Sequence, residues 1–385
     1  MIGLEQLKRI ADQQGTPIYV YDRQYLLDRA TKLQELSQTH NCLLRYAVKA
    51  NPHTEIIELF DRLGLNFDAS SEYEAERLIK LGVEPEKISL SSQQPPSNML
   101  KTLNSGVKFV ATSLRQLELA GSSGWQGNLA VRLNPGVGSG HSRRTTTGGV
   151  SSSFGIWHEY MPQVLDWASK SGCVIDRIQT HIGSGADAKV WRTVVEEGLK
   201  LVEQIPTIKI LNLGGGYKVA RMPDEKEANM AEILEIFDNA VKAFQKRTGR
   251  QLSIEIEPGT FLVANGGYLI SQVVDVVDTG REGFNFIKLD TGMNDLLRPT
   301  LYGAQHSIEI INDSKAKKDY VVVGHNCESG DLLTPEPGNP EQIKPRSLNQ
   351  AEIGDTVMIG GVGAYGASMR AIGYNSYPAA KETIL

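Results

Sequence analysis

Apolar runs of strand length recur through the first 260 residues of the chain, and stretches with helical periodicity lie between them. Short apolar runs that alternate with amphipathic helices are typical of parallel strands. The runs predict eight strands, at residues 43–48, 66–69, 87–90, 108–111, 129–133, 177–182, 209–213 and 253–257. The amphipathic stretches predict helices, at residues 71–81, 114–120, 161–171, 190–204 and 227–247.

Eight alternations of strand and helix in about 215 residues match the number and size of a (β/α)8 barrel. An open, doubly wound sheet uses the same alternation and is the alternative fold. The pattern favours the barrel, a TIM-like α/β architecture, and leaves the open sheet as the second possibility.

The pattern changes after Gly259, where strand-like segments follow one another with little helix between them. They lie at residues 261–278, 285–289, 302–311, 319–323 and 355–359, with Gly, Pro, Asn and Asp turns between them. Successive strands separated by turns predict a second, β-rich domain, either a sandwich or a barrel. The opening residues predict an amphipathic helix and then a strand at 17–21, which could cross over and join that domain. We therefore divide the chain into residues 1–22, which pack with the β domain, a barrel at 23–260 and a β-rich domain at 261–385.

Composition excludes several classes of function. The chain has 385 residues, of which 40% are hydrophobic and 22% are charged, with a net charge of −5. No Lys/Arg-rich run predicts a nucleic-acid surface, and no apolar stretch is long enough for a membrane span. Three cysteines argue against a disulfide framework and for a reducing compartment. The N-terminus lacks the features of a signal peptide, so we expect a cytoplasmic protein.

The candidate chemistry lies where the predicted strands end, because catalytic groups of such barrels sit at the carboxyl ends of the strands. These positions are all polar or glycine: Lys49, Asp68, Asn134, His181, Gly214 and Glu257. An amine held at a strand end and partly desolvated can lose its proton and attack a carbonyl. The plainer alternative for Lys49 is a lysine that simply reaches water.

Two further features suggest a cofactor. The glycines 214–216 let backbone N–H groups turn toward an anion, and Ser184 would add a hydroxyl donor. A flexible turn is the alternative for the glycines. Glu257 would face the barrel mouth and needs a cationic or donor partner, which could be a ring nitrogen or a barrel arginine or lysine. An amine, a phosphate cradle, a stacking His181 and a carboxylate together point to pyridoxal 5′-phosphate.

With these features the chain resembles the barrel-type pyridoxal phosphate decarboxylases, and most closely the diaminopimelate decarboxylases. The resemblance covers nearly the whole chain. It rests on an ordered set of motifs: YAVKANP at 46–52, HIGSG at 181–185, NLGGGY at 212–217, EPGT at 257–260, KLDTGMNDLLRPTLYGAQH at 288–306, CESGD at 327–331 and GAYG at 363–366.

The resemblance implies roles for single residues. Lys49 would be the Schiff-base lysine, His181 would stack on the cofactor ring, and Glu257 would pair with its nitrogen. The remaining cofactor-binding residues would be Asp68, Ser184, Gly214, Gly215, Gly216 and Tyr365. Arg298 and Tyr302 would hold the distal carboxylate of the substrate, because a guanidinium matches a carboxylate bidentately. Tyr365 would approach both the phosphate and the substrate.

The resemblance also implies a homodimer whose active sites are shared across the interface. The partner subunit would donate Cys327, which would reprotonate the α-carbon, and Glu328, which would bind the distal ammonium. The plainer alternative for Cys327 is a small buried hydrophobe. The loop that contains Arg143 and Arg144 resembles a lid over the substrate.

One position departs from the family pattern. The Glu-Pro-Gly motif is usually followed by an arginine in these decarboxylases, and here Thr260 follows it. The departure puts the substrate in question more than the cofactor or the reaction, and Arg143 or Arg144 is a candidate for the missing cation. The leading hypothesis is decarboxylation of meso-diaminopimelate to L-lysine. The alternatives are a decarboxylase of another carboxylate-bearing amino acid and a non-catalytic cofactor-binding relative.

Overall fold

The computed structural model describes residues 2–138, 147–181 and 183–385. They form two compact units. The barrel unit comprises residues 29–218 and 226–261, and the strand-rich unit comprises residues 1–28, 219–225 and 262–385. The boundaries at residues 22 and 260 that we drew from the sequence stay a prediction.

The barrel unit contains a closed sheet of eight parallel strands. In chain order these are Cys42–Ala47, Asn66–Ala69, Ile88–Ser91, Lys108–Ala111, Asn128–Asn134, Val174–Gln179, Ile210–Asn212 and Ser253–Ile256. Each strand pairs with the next, and the eighth pairs with the first, with Ile254 opposite Cys42. The short strand Ile156–Trp157 pairs beside the fifth strand. Closure confirms the predicted (β/α)8 barrel and excludes the open sheet.

Helices separate the strands in the order that the periodicity predicts. Their bounds are Arg23–Thr39, Thr54–Arg62, Glu72–Lys80, Met99–Asn104, Leu114–Ser122, Met161–Ser171, Ala188–Gln204 and Met230–Thr248. Capping side chains fix several starts, since the side chain of Ser71 accepts the backbone N–H of Glu74 and that of Asn229 accepts the N–H of Glu232. The last helix therefore begins three residues later than predicted. Among the described residues, no helix combines the length and apolarity that a bilayer crossing needs.

The strand-rich unit is built on a mixed sheet. Its strands run in the order Ile308–Ile311, Thr356–Gly360, Gly267–Asp278, Asn285–Leu289, Lys317–Val323 and Arg346–Asn349. The strand Ile18–Tyr21 pairs antiparallel with Gly267–Asp278 and parallel with Lys381–Ile384. A separate hairpin joins Pro335–Glu336 to Asn339–Ile343. The predicted crossover of the N-terminal strand into the β-rich domain is confirmed.

The N-terminal helix Leu4–Gln14 covers one face of this sheet. Its buried residues Leu7 and Ile10 belong to one apolar cluster with Ile270 and Met358. Apolar positions three residues apart lie on the same helix face, which explains why the helix docks with that side inward.

Two strands predicted in this unit begin later than expected. Residues Thr260–Val263 form a helical turn, so the long strand starts at Gly267. Residues Arg298–Tyr302 also form a short helix, so the next strand starts at Ile308. In the second case Pro299 suits a first helical turn. Gly303 then ends the helix in the left-handed region. Local turn chemistry outweighs the apolar run.

Candidate active site

Lys49 lies in the short 3₁₀ turn Val48–Ala50, directly after the first barrel strand. Its neighbours Val48 and Ala50 are buried, whereas Lys49 itself is exposed. This exposure fits the plainer alternative, a lysine that reaches water, and the partly desolvated amine stays a prediction. The surroundings of Lys49 differ from those of an ordinary surface lysine. Burial raises the pKa of both Asp68 and Glu74, and the charge of Lys49 opposes both rises.

Asp68, in the second barrel strand, is fully buried and receives a hydrogen bond from Ser91 at 3.2 Å. Its Oδ2 atom is buried and has no hydrogen-bond partner among the described residues. Burial, followed by the charge of Glu257, raises the pKa of Asp68 to about 8, while Lys49 opposes the rise. A carboxylate that lacks a partner in a buried position is a recognised sign of a functional site.

Glu257 follows the eighth strand, and two amides orient its carboxylate. The side-chain amides of Gln179 and Asn212 donate to its Oε1 atom, each at 2.7 Å. The ion pair with barrel arginines is made two residues earlier, where Glu255 contacts Arg45 at 2.7 Å and Arg177 at 2.8 Å. These contacts separate the two glutamates: Glu255 neutralises buried arginines, and Glu257 is held by neutral donors.

The glycine triplet after the seventh strand is packed too closely for any side chain. A Cβ on Gly215 would lie 2.2 Å from the backbone oxygen of Glu257, and one on Gly216 would lie 1.8 Å from that of Gly183. Gly214 has a φ of +70° and donates its N–H to Oδ1 of Asn212 at 2.8 Å. The triplet is therefore a close-packed backbone surface on which only glycine fits, which favours a defined loop over a flexible turn.

His181 follows the sixth strand and contacts the triplet. Its Nδ1 atom accepts the N–H of Gly215 at 3.1 Å. Burial, assisted by the charges of Arg132 and Lys49, lowers the pKa of His181 well below its ordinary value. The imidazole is therefore neutral, with its remaining proton on Nε2.

The barrel thus brings five of the six strand-end positions together, while the sixth organises a loop. Asn134 donates through Nδ2 to the carbonyl of Gly149 at 3.0 Å, and its Oδ1 atom accepts the N–H groups of Gly136 and Gly149. Arg143 and Arg144 lie outside the described residues.

These residues fit pyridoxal phosphate. The group needs an amine, donors for a phosphate and a carboxylate for its pyridinium nitrogen. The N–H groups of Gly214 and Gly215 already donate to Asn212 and His181, so the triplet offers an anion the N–H of Gly216. Ser184 lies on the adjoining loop, where Gly185 donates to the carbonyl of Gly216 at 3.0 Å. The oriented carboxylate of Glu257 and the buried oxygen of Asp68, which has no described partner, are the acidic groups available to the pyridinium nitrogen.

The strand-rich unit holds the residues expected to bind substrate. Arg298 begins the helix Arg298–Tyr302, and its Nε atom is buried without a hydrogen-bond partner among the described residues. Burial lowers the pKa of Arg298, while Tyr365 and Tyr302 oppose the shift. Tyr365 has a φ of +58°, which is uncommon for a residue with a side chain. Arg298 is thus placed near both tyrosines predicted to act with it.

Cys327 is exposed, which excludes the buried-hydrophobe alternative. Its N–H donates to Oδ1 of Asn375 at 2.6 Å. The neighbouring Glu328 is also exposed and receives a hydrogen bond from the hydroxyl of Tyr374 at 3.0 Å. Contacts with this hydroxyl and with the N–H of Gly330 lower the pKa of Glu328, so the carboxylate is charged.

Sequence reasoning missed three polar residues of the barrel site: Gln179, Asn212 and Arg132. Each lies two positions before a strand-end residue that we had chosen, and residues two apart share a face of a strand. That spacing was a usable signal. The Nη2 atom of Arg132 is buried without a described partner. Burial lowers the pKa of Arg132, and the charges of Glu257 and Asp68 oppose the shift.

A family model described as "Pyridoxal-dependent decarboxylase, pyridoxal binding domain" matches residues 26–264. Among curated proteins, diaminopimelate decarboxylase of Streptomyces coelicolor is 32% identical over 391 residues, which cover 99% of this chain and 87% of that protein. Diaminopimelate decarboxylase of Escherichia coli K12 is 30% identical over 398 residues, covering 99% of this chain and 91% of that protein.

Solved structures give the same comparison. A crystal structure of diaminopimelate decarboxylase matches with a TM-score of 0.91 and 30% identity, covering 99% of this chain and 91% of that one. The Helicobacter pylori diaminopimelate decarboxylase, complexed with L-lysine, matches with a TM-score of 0.87 and 27% identity, covering 98% and 94%. A lysine/ornithine decarboxylase from Vibrio vulnificus, at 20% identity and a TM-score of 0.83, shares the fold.

Proposed function

This chain belongs to the diaminopimelate decarboxylases, within the pyridoxal-dependent decarboxylase family, and we propose that Lys49, His181 and Cys327 carry its reaction. The reaction removes one α-carboxylate of meso-diaminopimelate as carbon dioxide and leaves L-lysine. The observation that carries the proposal is the barrel mouth, where the charge of Lys49 acts on the buried carboxyl of Asp68. The close-packed glycine triplet 214–216 lies at the same mouth.

The cofactor in this proposal is pyridoxal 5′-phosphate. Lys49 would hold it through its carbonyl carbon, Ser184 and the triplet would hold its phosphate with Tyr365, and Glu257 would be the partner of its ring nitrogen. When bound, pyridoxal phosphate supplies a sink for the electron pair that carbon dioxide leaves behind. The neutral His181 would stack on the ring without adding a positive charge that competes with the ring nitrogen for Glu257.

The chain's own groups perform the remaining steps. The Lys49 amine would act as the nucleophile that holds the cofactor and that releases lysine at the end of the reaction. The Cys327 thiol gives its proton to the α-carbon, and the charged Glu328 binds the distal ammonium. Arg298 and Tyr302 bind the distal carboxylate, the one that is not removed. Ornithine and lysine, as substrates, have a single carboxylate, the one that leaves, and so lack this feature.

The assembly and compartment are parts of the same proposal. We assign Cys327 and Glu328 to the active site of a partner subunit in a homodimer. Both side chains are exposed on the strand-rich unit, where a second chain can reach them. Three free cysteines, one of them exposed, suit a reducing cytoplasm.

The deciding experiment measures lysine release from meso-diaminopimelate by the purified, cofactor-loaded protein, with ornithine, lysine and carboxynorspermidine as parallel substrates. Turnover of diaminopimelate alone is the expected result. Lys49→Ala should lose the absorption of bound cofactor and at least about a thousandfold in rate. Lys87→Ala is the matched control, because Lys87 pairs with Asp61 at 2.8 Å. Turnover that survives Lys49→Ala would overturn the mechanism.

Complementation tests the shared active site. Lys49→Ala and Cys327→Ala proteins are each inactive in this proposal, but a mixed dimer holds one site with both residues intact. Mixing and re-equilibrating the two variants should therefore restore activity to at most about a quarter of the wild-type rate, as random pairing of subunits gives half heterodimers with one intact site each. Absence of recovery, with mixed dimers shown by mass, would place Cys327 in its own chain's site.

One observation keeps a second candidate function open. Thr260 stands where the family pattern has an arginine, so the substrate could be another amino acid that carries a second carboxylate. A well-formed cofactor absorption without turnover of diaminopimelate would favour that candidate. Cofactor binding without turnover of any amino acid would favour a non-catalytic relative.

A further inference from the structure

Two arginines of the strand-rich unit carry buried guanidinium nitrogens without a hydrogen-bond acceptor among the described residues. They are Arg221, through Nη2, and Arg298, through Nε. A buried donor without an acceptor costs free energy, about 1–3 kcal/mol and more for a charged group. Such a group is therefore a candidate for contact with a ligand.

One hydrogen bond anchors the Arg221 side chain, and contacts of the flanking residues hold its segment. It lies in the short segment 219–225, which belongs to the strand-rich unit although barrel residues flank it on both sides. Its Nε atom donates to the carbonyl of Gly361 at 2.9 Å. Asn265 donates to the carbonyl of Ala220 at 2.9 Å, and Arg346 contacts the sulfur of Met222 at 3.9 Å. The guanidinium is thus anchored by one edge, with Nη2 left over.

A carboxylate of the same segment, that of Glu225, is already engaged. Glu225 accepts the backbone N–H groups of Arg221 and Met222 through its Oε2 atom, at 2.8 Å and 3.2 Å. Its charge raises the pKa of Arg221. Burial, and then the positive charge of Arg298, act more strongly and lower the pKa of Arg221 to about 9. The two guanidinium groups repel each other, and Glu225 compensates only in part.

A third group continues the cluster. His306 is buried, and its Nδ1 atom lies 3.0 Å from the carbonyl of Gly360, so that nitrogen carries the proton. Its Nε2 atom is buried without a described partner. Burial and the charges of Arg298 and Arg221 lower the pKa of His306 well below its ordinary value. Consecutive carbonyls, of Gly360 and Gly361, therefore orient a neutral imidazole and a guanidinium in the same neighbourhood.

We propose that Arg221 acts with Arg298 to bind the distal carboxylate of the substrate, and that Arg221 is a specificity-determining residue of this chain. The inference rests on the proposed function and names the residue that completes its substrate site. Two buried guanidinium groups with spare N–H donors match a carboxylate, which offers two oxygens and one negative charge. Arg221 also gives the chain a cation that the Thr260 position does not provide.

A phosphate would satisfy the same pair of guanidinium groups, and the test separates the two anions. Lysine, the product, keeps the distal carboxylate, whereas cadaverine has the same carbon chain and both amino groups but lacks it. Calorimetric binding of lysine and of cadaverine to the cofactor-loaded protein therefore reports on the carboxylate contact without turnover. Affinity for pyridoxal phosphate reports on the phosphate contact.

The variants are Arg221→Met, Arg221→Lys and the control Arg250→Met. Arg221→Met should raise KM for diaminopimelate and weaken lysine binding by about ten- to a hundredfold. The value of kcat should change less than about threefold, since the lost contact stabilises ground state and transition state alike. The affinities for cadaverine and for the cofactor should equal those of the wild-type protein, because neither uses the carboxylate contact. Arg221→Lys should recover part of the loss. Arg250 donates to the backbone carbonyls of Val202 and Ile205, so Arg250→Met shows what losing a guanidinium–carbonyl contact does to folding alone.

Each outcome decides the question. Unchanged KM and lysine binding in Arg221→Met would overturn the inference, and so would weaker cofactor binding with unchanged KM, which would assign Arg221 to the phosphate. If Arg221→Met does not fold, an unaltered KM in Arg221→Lys overturns it as well, because a lysine cannot replace a guanidinium that donates to Gly361 and to a ligand together. A wild-type protein that does not convert diaminopimelate would instead reject the proposed function.

Discussion

The Nδ1 atom of His181 accepts the backbone N–H of Gly215 at 3.1 Å. This one contact fixes the tautomer of a histidine proposed to stack on the cofactor, and it ties the ring to the loop proposed to hold the phosphate. The ring therefore has two separable functions, an aromatic face and an acceptor nitrogen.

The two functions of His181 can be separated by substitution. His181→Phe keeps an aromatic face and loses the acceptor, whereas His181→Asn keeps an acceptor and loses the ring. Each should weaken cofactor binding by about fivefold, since one hydrogen bond or one aromatic contact contributes about 1 kcal/mol. His181→Ala should lose both and weaken binding by at least about 25-fold. The measurement is the dissociation constant of pyridoxal phosphate, and equal constants for all three variants would contradict the separation.

His306 predicts a loss of stability in mild acid. Its pKa is lowered in the folded chain from an ordinary value of 6.5, so the unfolded chain binds the proton more readily. Folding stability from this group is present above that value and is lost as the pH falls through it. Between about pH 7.5 and pH 5.5 the loss amounts to about 1.4 kcal/mol.

His306→Asn isolates this contribution, because an asparagine amide can still donate to the carbonyl of Gly360 but does not titrate. Chemical denaturation of both proteins at the two pH values should show a smaller drop for the variant than for the wild type. His181, Asp68 and the other titrating groups are common to both proteins and cancel in the difference. Identical drops would mean that His306 takes up a proton equally well in the folded chain.

A side chain at the centre of the glycine triplet should disturb the loop by steric overlap, and Gly185 provides the control position. In Gly215→Ala the new Cβ would lie 2.2 Å from the backbone oxygen of Glu257, so the loop must move. In Gly185→Ala the Cβ would meet Val190 at 3.7 Å, an ordinary contact. Gly215→Ala should therefore lose cofactor affinity by at least about tenfold, because an overpacked site costs about 1–3 kcal/mol. Gly185→Ala should bind the cofactor as the wild type does, and equal losses in both variants would contradict the steric argument.

Periodicity predicted the barrel because each strand–helix pair is a local pattern that repeats eight times. The strand ends followed from the same pattern, and five of the six strand-end residues chosen there lie together at the barrel mouth. The exposure of Lys49 did not follow, since solvent access depends on loops that meet only in three dimensions. Neither did the helical turns at Thr260–Val263 and Arg298–Tyr302, where tertiary context outweighs an apolar run.

Arg221 shows the limit of sequence reasoning more sharply. Its segment, 219–225, sits in the chain between barrel elements, yet it belongs to the strand-rich unit. Arg221 finds its acceptor, Gly361, 140 positions away. No spacing along the chain signals such a contact. By contrast, the alternation along the eighth strand, Ser253–Ile256, places Glu255 and Glu257 on one face, and that relation was available from the sequence.

These two glutamates, two positions apart, should separate stability from catalysis. Burial opposes ionisation of Glu255, but Arg177 and Arg45 together lower its pKa to about 2. Its stabilising charge is therefore present at neutral pH and is lost only as the pH falls from about 4.5 towards that value. Glu255→Gln leaves two buried arginines without their counter-charge, which should cost about 3–5 kcal/mol of folding stability.

Glu257→Gln should have the opposite profile. Gln179 and Asn212 donate to Oε1 of Glu257, and a glutamine carbonyl can accept both hydrogen bonds, so stability should change by less than about 1 kcal/mol. The ring nitrogen of the cofactor would lose its counter-charge, and kcat should fall by about 10²–10³. The measurement is kcat beside the denaturation midpoint for both variants at one pH. A stable but slow Glu255→Gln together with an unstable but active Glu257→Gln would reverse the assignment. The partner of the cofactor would then be Glu255, two residues earlier along the strand.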